Sequence, residues 1–299
     1  AKTNIVKLLD KTHPSDLALI FRYFNDNEQD SIFSNMLPSE ETVKFLYELD
    51  ESIATRLIEG ETAERLAEIM QQASSNEQAF LMGLVSDDFA SSVIDLLQTE
   101  EQEELEEMMA YPEDSAGTLM YTDVFTLHED TKAREAIYAL QDQEDAEMVF
   151  YLYTLDDDGR LTGVISLRDL VTTPSETMLK DIMSKNIQAV RAETDQEEVA
   201  RIVSQYNFLA VPVVDASEKL LGIVTVDSVV DVIREEATED FLQLAGAGKD
   251  REILLKSSWE NARIRLPWLF ASWIGGILAA FIIGVFDNIL ESTIALAAF

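Results

Sequence analysis

The chain has 299 residues, of which 57 are acidic and 22 are basic, giving a formal net charge of -35. Because 47% of the residues are hydrophobic, two or more folded domains are expected and a disordered chain is not. This charge favours cations as ligands and disfavours nucleic acid, whose phosphates bind clustered Lys and Arg. A chain without cysteine has no disulfides and no thiolate metal site, and neither His13 nor His128 has a second His at ligand spacing.

The first part of the chain, residues 1–116, has the pattern of short amphipathic helices. Apolar residues recur there at three- and four-residue spacing in five segments. The segments are DLALIFRYF, ETVKFLYEL, ETAERLAEIM, DDFASSVIDLL and EEQEELEEMM. Two predicted helix starts, at Ser39 and Ser86, place a serine N-cap before acidic residues. The recurrence predicts an all-α helical-repeat domain with an acidic surface.

A two-copy repeat follows this helical part. GTLMYTDVFTLHEDTKAREAIYAL corresponds to KDIMSKNIQAVRAETDQEEVARIV, and GRLTGVISLRDLV corresponds to EKLLGIVTVDSVVDVI. In this correspondence Met120 matches Met183, and Gly163 matches Gly222. The sequence therefore predicts the same small fold twice.

Each copy has the pattern of a β-α-β-β-α unit. The predicted strands are FYLYTL and GVIS in the first copy, and AVPVV and GIVT in the second. Each helix between strands is expected to be capped by a threonine, Thr131 in the first copy and Thr194 in the second. The paired unit resembles the CBS domain, named for cystathionine β-synthase, over about residues 117–236.

An uncharged segment, LPWLFASWIGGILAAFIIGVF, occupies residues 266–286 near the end of the chain. About 20 apolar residues suffice for a helix to cross a bilayer, so a transmembrane helix is predicted, with a buried core helix as the alternative. Arg263 and Arg265 precede it, and the positive-inside rule then places residues 1–265 in the cytoplasm. After Asp287 and Glu291 the chain ends in the apolar stretch IALAAF at Phe299, from which we expect this chain to be part of a longer multi-pass protein.

The order of these parts resembles the MgtE family of magnesium channels and transporters. The stretches that carry the resemblance are EDSAGTLM, IVTVDSVVDVIREEATEDF and WENARIRLPWL. It implies magnesium transport across the cell membrane by a homodimer, joined through CBS domains and membrane helices, whose cytoplasmic part binds Mg²⁺ and holds the pore shut when Mg²⁺ is abundant. The implied domains are an α-helical domain (1–116), two CBS domains (117–179 and 180–237), a connecting plug helix (238–262), and a first transmembrane helix with the segment after it (263–299).

The resemblance also assigns candidate Mg²⁺ ligands. They are Asp88, Gly117 through a backbone oxygen, Glu197, Asp231, Glu236, Glu239 and Asp240. Like charges four residues apart on a helix, as at Glu236 and Asp240, cost about 0.2–0.5 kcal/mol per pair, which a divalent cation reverses. The alternative for any single carboxylate is a solvated acidic face.

Some positions depart from the family pattern. Asn207 and Ser228 stand where the family has acids, and Ser92 stands where a second carboxylate beside Asp88 is expected. A site between that helix and the CBS units would then be weaker, or would use Asp87 and Asp95 instead.

A second ligand, an adenine nucleotide such as ATP, is implied by the CBS resemblance. The run from Ser166 to Asp169 fits the ribose-binding pattern, with Arg168 placed for phosphate. The corresponding run in the second copy ends in Ser228 and lacks the acid, so at most one nucleotide per subunit is expected. Phe208 either stacks on the base or packs in the core.

Three other functions compete with a magnesium sensor. One is a CBS-regulated transporter of another ion, gated mainly by adenine nucleotide. Another is a scaffold that binds a protein partner through its helical domain. An enzyme is not expected, because the sequence has no Ser-His-Asp or Cys-His arrangement and no Gly-rich phosphate loop.

Overall fold

The computed structural model describes residues 12–142, 150–244 and 258–285. The chain divides into two compact units, Ala1–Val232 and Ile233–Phe299. The first contains a helical domain and both repeats, and the second begins within a long helix. Each unit is described by itself.

Short helices of eight to eleven residues form the helical domain. They are α1 (Pro14–Phe21), α2 (Asp26–Phe33), α3 (Glu40–Tyr47), α4 (Glu51–Glu59), α5 (Ala63–Met70), α6 (Ser75–Gly83), α7 (Asp87–Ile94) and α8 (Thr99–Met109). The five predicted helices are confirmed as α1, α3, α5, α7 and α8. Helices α4 and α6 were not predicted, and the polar SSNE segment, interpreted as a break between helices, is the start of α6. Helix α2 was missed as well, because its segment, DNEQDSIF, is mostly polar. Its start is nevertheless fixed locally, since Asn25 and Glu28 exchange side chain-to-backbone hydrogen bonds of 3.1 Å.

The repeats form two three-stranded sheets of identical topology. The elements of the first are α9 (Ala116–Leu119), β1 (Thr126–His128), α10 (Ala133–Asp142), β2 (Tyr151–Leu155), β3 (Leu161–Ser166) and α11 (Leu167–Thr172). Those of the second are a 3₁₀ turn (Leu179–Asp181), β4 (Val190–Arg191), α12 (Gln196–Tyr206), β5 (Ala210–Val214), β6 (Leu220–Thr225) and α13 (Val226–Leu244). In each sheet the first strand pairs parallel to the second and the second antiparallel to the third. The predicted duplication is confirmed.

In each repeat the segment just before the first strand, around Tyr121 or Ser184, pairs with the sheet of the other repeat, and we call these two the exchanged segments. Tyr121 pairs with Ile223 of β6, and Ser184 pairs with Val164 of β3. A side chain at Gly222 would have its Cβ 2.5 Å from the Tyr121 carbonyl oxygen. Close approach of the exchanged segment therefore explains why this position is glycine.

The predicted threonine caps are wrong. Helix α12 begins at Gln196, and its cap is Asp195, whose carboxylate accepts a 2.9 Å hydrogen bond from the backbone of Glu197. The Thr194 hydroxyl instead accepts from the backbone of Arg191 at 3.0 Å. Helix α10 begins at Ala133, so Thr131 lies too far before it to be the cap.

Three hydrophobic clusters hold the first unit together. The largest runs from the helical domain into the second repeat, for example from Leu105 and Met108 of α8 to Val213 and Val224. A second fills the first repeat and also contains Leu179 and Met183 from the start of the second repeat. A third, around Tyr153, contains residues of both sheets. The helical domain therefore packs chiefly against the second repeat.

A long apolar helix, α14 (Ser258–Val285), lies in the second unit. Its residues Leu266–Val285 have a mean hydropathy of 2.1 and none of them is buried, so by length and composition the helix is sufficient to cross a membrane. The predicted connecting helix, 238–262, falls partly on residues 245–257, which lie outside the described residues.

Candidate functional site

Gly117 and Glu197, two predicted Mg²⁺ ligands, lie on neighbouring segments. The backbone of Gly117 donates a 2.8 Å hydrogen bond to the Ala192 carbonyl, and Gln196 donates one of 2.8 Å to the Asp114 carbonyl. Helix α9 thus packs against α12, whose first turn carries the exposed side chain of Glu197. Gly117 is buried.

Asp88 lies in the first turn of α7, with an exposed side chain beside that of Asp87. The Ser92 hydroxyl donates a 2.6 Å hydrogen bond to the Phe89 carbonyl of the same helix. Asp95, the alternative carboxylate, lines a cavity of about 350 Å³ together with Glu106 of α8. Within the helical domain Asp95 therefore faces α8, and its predicted role toward the repeats stays a prediction.

The other predicted ligands lie on α13, which confirms that they share one helix. Asp231 is half-buried and belongs to the first unit, whereas the half-buried Glu236 belongs to the second. The side chains of Glu239 and Asp240 lie outside the described residues.

Carboxylates do not cluster tightly in the described part of the chain. No three His, Cys, Asp or Glu side chains lie there close enough to hold a metal ion. The seven Mg²⁺ ligands named from the sequence therefore stay a prediction.

The predicted nucleotide run forms a corner where β3 meets α11. Ser166 is the N-cap of α11, and its hydroxyl donates a 2.7 Å hydrogen bond to the Asp169 carboxylate. It also accepts a 3.1 Å hydrogen bond from the Asp169 backbone. Arg168 and Asp169 are exposed, so both charged groups are available to a ligand.

Phe208 lies just before β5, in the second sheet. It is half-buried against the main core, and its ring stacks on Tyr206 with centroids 5.4 Å apart. Contacts described for this part of the chain do not join it to the Ser166 corner, so its predicted role with a nucleotide base stays a prediction.

The sequence analysis missed Tyr121. Its phenol lies beside the side chains of Asn76 and Ser228, and burial, followed by the nearby Asp227 carboxylate, raises the pKa of this phenol. The next residue, Thr122, bonds Ser75 and Glu104 of the helical domain. The only signal for it was its position, directly after the matched Met120.

Comparison with known proteins assigns each part of the first unit. The family model for the MgtE intracellular N domain matches residues 12–114, and the CBS domain model matches residues 116–176 and 179–235. The cytosolic domain of the Mg²⁺ channel MgtE in complex with ATP has a TM-score of 0.71 at 33% identity, covering 76% of this chain and 92% of that one. The chain belongs to the MgtE family. The soluble part of a magnesium transporter is similar as well, with a TM-score of 0.64 at 28% identity over 79% of this chain and 98% of that one.

Curated MgtE relatives are longer than this chain. Magnesium transporter MgtE of Bacillus subtilis is 31% identical over 98% of this chain and 64% of its own length. The proteins of the same name from Enterococcus faecalis and Thermus thermophilus are 38% and 36% identical, over 67% and 78% of this chain and 44% and 50% of their own lengths. The chain thus spans about half to two thirds of these relatives.

Two kinds of enzyme also match, but only through the repeats. An inosine-5'-monophosphate dehydrogenase of Methanocaldococcus jannaschii is 26% identical over 37% of this chain, and a homoserine O-acetyltransferase of Methanosalsum zhilinae is 28% identical over 38%. These matches reflect the CBS pair and carry no enzyme activity to this chain.

Proposed function

We propose that this chain is the cytoplasmic Mg²⁺-sensing part of a homodimeric magnesium transporter, with Leu266–Val285 as its first membrane-spanning helix and residues 1–265 on the cytoplasmic side. The observation that carries the proposal is the combination of an MgtE-type helical domain, a CBS pair and an apolar helix in one chain. Similarity to a protein named magnesium transporter over 98% of the chain supports it.

The proposed mechanism follows from charge. At a net charge of -35, acidic surfaces repel one another, and Mg²⁺ bound between carboxylates lowers that repulsion. Bound ions then favour the compact, closed arrangement over a looser one. Moving such an equilibrium from 1:99 to 99:1 takes about 5.5 kcal/mol, which several weak sites supply together. The proposed ligand groups are the seven named from the sequence.

A proteolysis titration tests the sensor. The 299-residue chain in detergent micelles is digested over a range of Mg²⁺ concentrations at constant ionic strength. Cleavage between α8 and α9, around Asp114, is expected to fall and then level off as the sites saturate. Asp231→Asn is expected to shift the midpoint to higher Mg²⁺ by about fivefold or more, since losing one charged ligand costs about 1 kcal/mol or more.

The matched control for that variant is Glu103→Gln, which removes one exposed carboxylate from the outer face of α8. Its midpoint should equal that of the wild type. Protection that K⁺ reproduces at equal ionic strength would contradict a specific Mg²⁺ sensor and leave only general screening of the charge.

We also propose that an adenine nucleotide binds at the corner formed by Ser166, Arg168 and Asp169. The similar MgtE cytosolic domain is described in complex with ATP, which supports the assignment. Arg168 would bind phosphate, and the Asp169 carboxylate would accept hydrogen bonds from ribose hydroxyls.

Isothermal titration calorimetry with ATP tests this site. Arg168→Ala is expected to weaken ATP binding by about tenfold or more, because a charge-assisted hydrogen bond to phosphate contributes about 1.5–3 kcal/mol. Arg201→Ala is the control, since it removes an exposed arginine of α12 that pairs with Glu198 at 2.5 Å. Equal affinities of Arg168→Ala and the wild type would rule out this corner.

A further inference from the structure

The exchanged segments identify matched positions in the two repeats. Ser184 pairs with Val164 in the first repeat, and Tyr121 pairs with Ile223 in the second. Two residues after Val164 comes Ser166, and two residues after Ile223 comes Thr225. These hydroxyl residues begin the four-residue ligand run of each repeat, Ser166–Asp169 in the first and Thr225–Ser228 in the second. Tyr121 therefore stands in the second repeat where the first repeat has a small serine.

In the second repeat the end of the ligand run is buried and already bonded. Ser228 matches Asp169, but it is 4% exposed, whereas Asp169 lies at the surface. The Ser228 hydroxyl lies 3.3 Å from that of Thr225, and the phenol of Tyr121 lies beside it. The phenol of Tyr121 thus occupies the place that faces the ribose-binding acid in the first repeat.

The charge at this corner is also reversed. Asp227 stands where the first repeat has Arg168. A carboxylate there repels phosphate, and it disfavours ionisation of Tyr121, whose pKa it raises. This corner therefore accommodates a neutral phenol and disfavours the phosphates of a nucleotide.

The same tyrosine reaches the helical domain. Its phenol lies beside Asn76 in the first turn of α6, a residue that is 4% exposed. The backbone of the next residue, Thr122, donates a 3.1 Å hydrogen bond to the Ser75 hydroxyl. Buried polar side chains on both sides therefore meet at one residue, and removing its hydroxyl leaves them without that partner.

We infer that Tyr121 is a built-in occupant of the second repeat's ligand site and that it attaches the helical domain there. The first repeat is left to bind a nucleotide, and this part of the inference rests on the proposed nucleotide site. The ligand site of the first repeat thus binds a diffusible molecule, whereas the corresponding site of the second repeat connects the CBS pair to the helical domain.

Tyr121→Phe tests the joint, because it keeps the ring and removes the hydroxyl. In the full chain at saturating Mg²⁺, cleavage around Asp114 is expected to rise roughly threefold to tenfold, as for the loss of one buried polar contact. Tyr138→Phe, at a tyrosine 59% exposed on α10, is the control and should be cleaved like the wild type. ATP affinity should be unchanged in both variants.

A double-mutant cycle keeps the test specific. Ser228→Ala should raise cleavage as well, and Tyr121→Phe with Ser228→Ala should exceed the larger single effect by little, because both remove one shared contact. Additive effects, or cleavage of Tyr121→Phe at the wild-type rate, would contradict the role of Tyr121 in attaching the helical domain. Binding of two ATP molecules per wild-type chain would contradict the inference that Tyr121 fills the ligand site of the second repeat. A wild-type chain indifferent to Mg²⁺ would contradict the sensor proposal alone, since the variants are compared with the wild type at one Mg²⁺ concentration.

Discussion

Gly117 lies directly against the ring of Tyr111, and a Cβ at this glycine would overlap the ring atoms. Because Tyr111 lies just after α8 and Gly117 lies in α9 at the start of the first repeat, this contact fixes how the chain enters the CBS pair. We expect Gly117→Ala to lower the free energy of unfolding by about 1–3 kcal/mol, the usual cost of overpacking, measured by urea denaturation.

The control for this substitution is Gly83→Ala. Gly83 is the last residue of α6, and an added Cβ there would meet nothing within 4 Å. In a helix, alanine is favoured over glycine by about 0.5–1 kcal/mol, so this variant should be neutral or slightly more stable. Equal destabilisation by both substitutions would contradict the argument from close contact.

Asn207 shows what sequence reasoning lacks at the level of a residue. The family pattern has an acid at this position, so Asn207 was interpreted as the loss of a ligand. The structure instead places it at the C-terminal cap of α12 with φ of +54°. Asparagine tolerates this left-handed conformation better than most residues. Where a helix ends in space is set by tertiary packing, so neither this role nor the contacts of Tyr121 could be predicted from residue types alone.

Ion pairs tie the end of the first repeat to its beginning. Lys132 and Arg134 contact the Glu176 carboxylate at 2.7 and 2.9 Å, and Lys180 contacts Asp130 at 2.6 Å. The hydrogen bond from Lys132, followed by the charge of Arg134, holds the pKa of Glu176 below its ordinary value of 4.5. The segment between the repeats is thus held against β1 and α10 by charge.

This lowered pKa predicts how stability depends on pH. A carboxyl whose pKa is lower when folded stabilises the fold above its unfolded pKa, and this contribution is lost as pH falls through the folded pKa. Glu176→Gln should therefore lower the melting temperature slightly at pH 7, by circular dichroism, and have no effect well below pH 4.5. A difference that persists in acid, or an equal loss in Glu103→Gln, would contradict it.

The strands and five helices of the helical domain were predicted because their periodicity is local. AVPVV is β5, as predicted, and its five residues are buried. The serine N-caps at Ser39 and Ser86 are confirmed. The threonine caps were wrong, because Asp195 competes with Thr194 for the same helix end, and only the fold decides between them. Polar helices such as α2 are held by caps and neighbours, which periodicity does not detect.

For the whole molecule, the apolar helix decides whether the chain enters a membrane. Ile277 lies near the middle of Leu266–Val285. We expect Ile277→Arg to make insertion less favourable by about 2.5–3.5 kcal/mol, the cost of a charge at the centre of a spanning helix. Glycosylation tags on both sides of the helix, read in microsomes, measure the inserted fraction, and Gly275→Ala should insert like the wild type. Equal insertion of Ile277→Arg would contradict a spanning helix.

The order of domains was predictable because each part has its own sequence pattern, and the family comparison confirmed it. The packing of the helical domain chiefly on the second repeat was not predicted. It depends on contacts between residues far apart in sequence, such as Leu105 with the core that contains Val224. The ligand sets for Mg²⁺ stay predictions for the same reason, since no single element supplies three carboxylates at one point in the described chain.

The exchanged segments also set an order of events during synthesis. Tyr121 leaves the ribosome well before its strand partner, Ile223. At roughly 5–20 residues per second the interval is about 5 to 20 s, during which the helical domain is complete but its docking surface does not yet exist. A newborn chain must therefore keep the residues around Tyr121 unpaired and soluble through that interval, and the dense negative charge of the helices before them favours this by repelling neighbouring nascent chains.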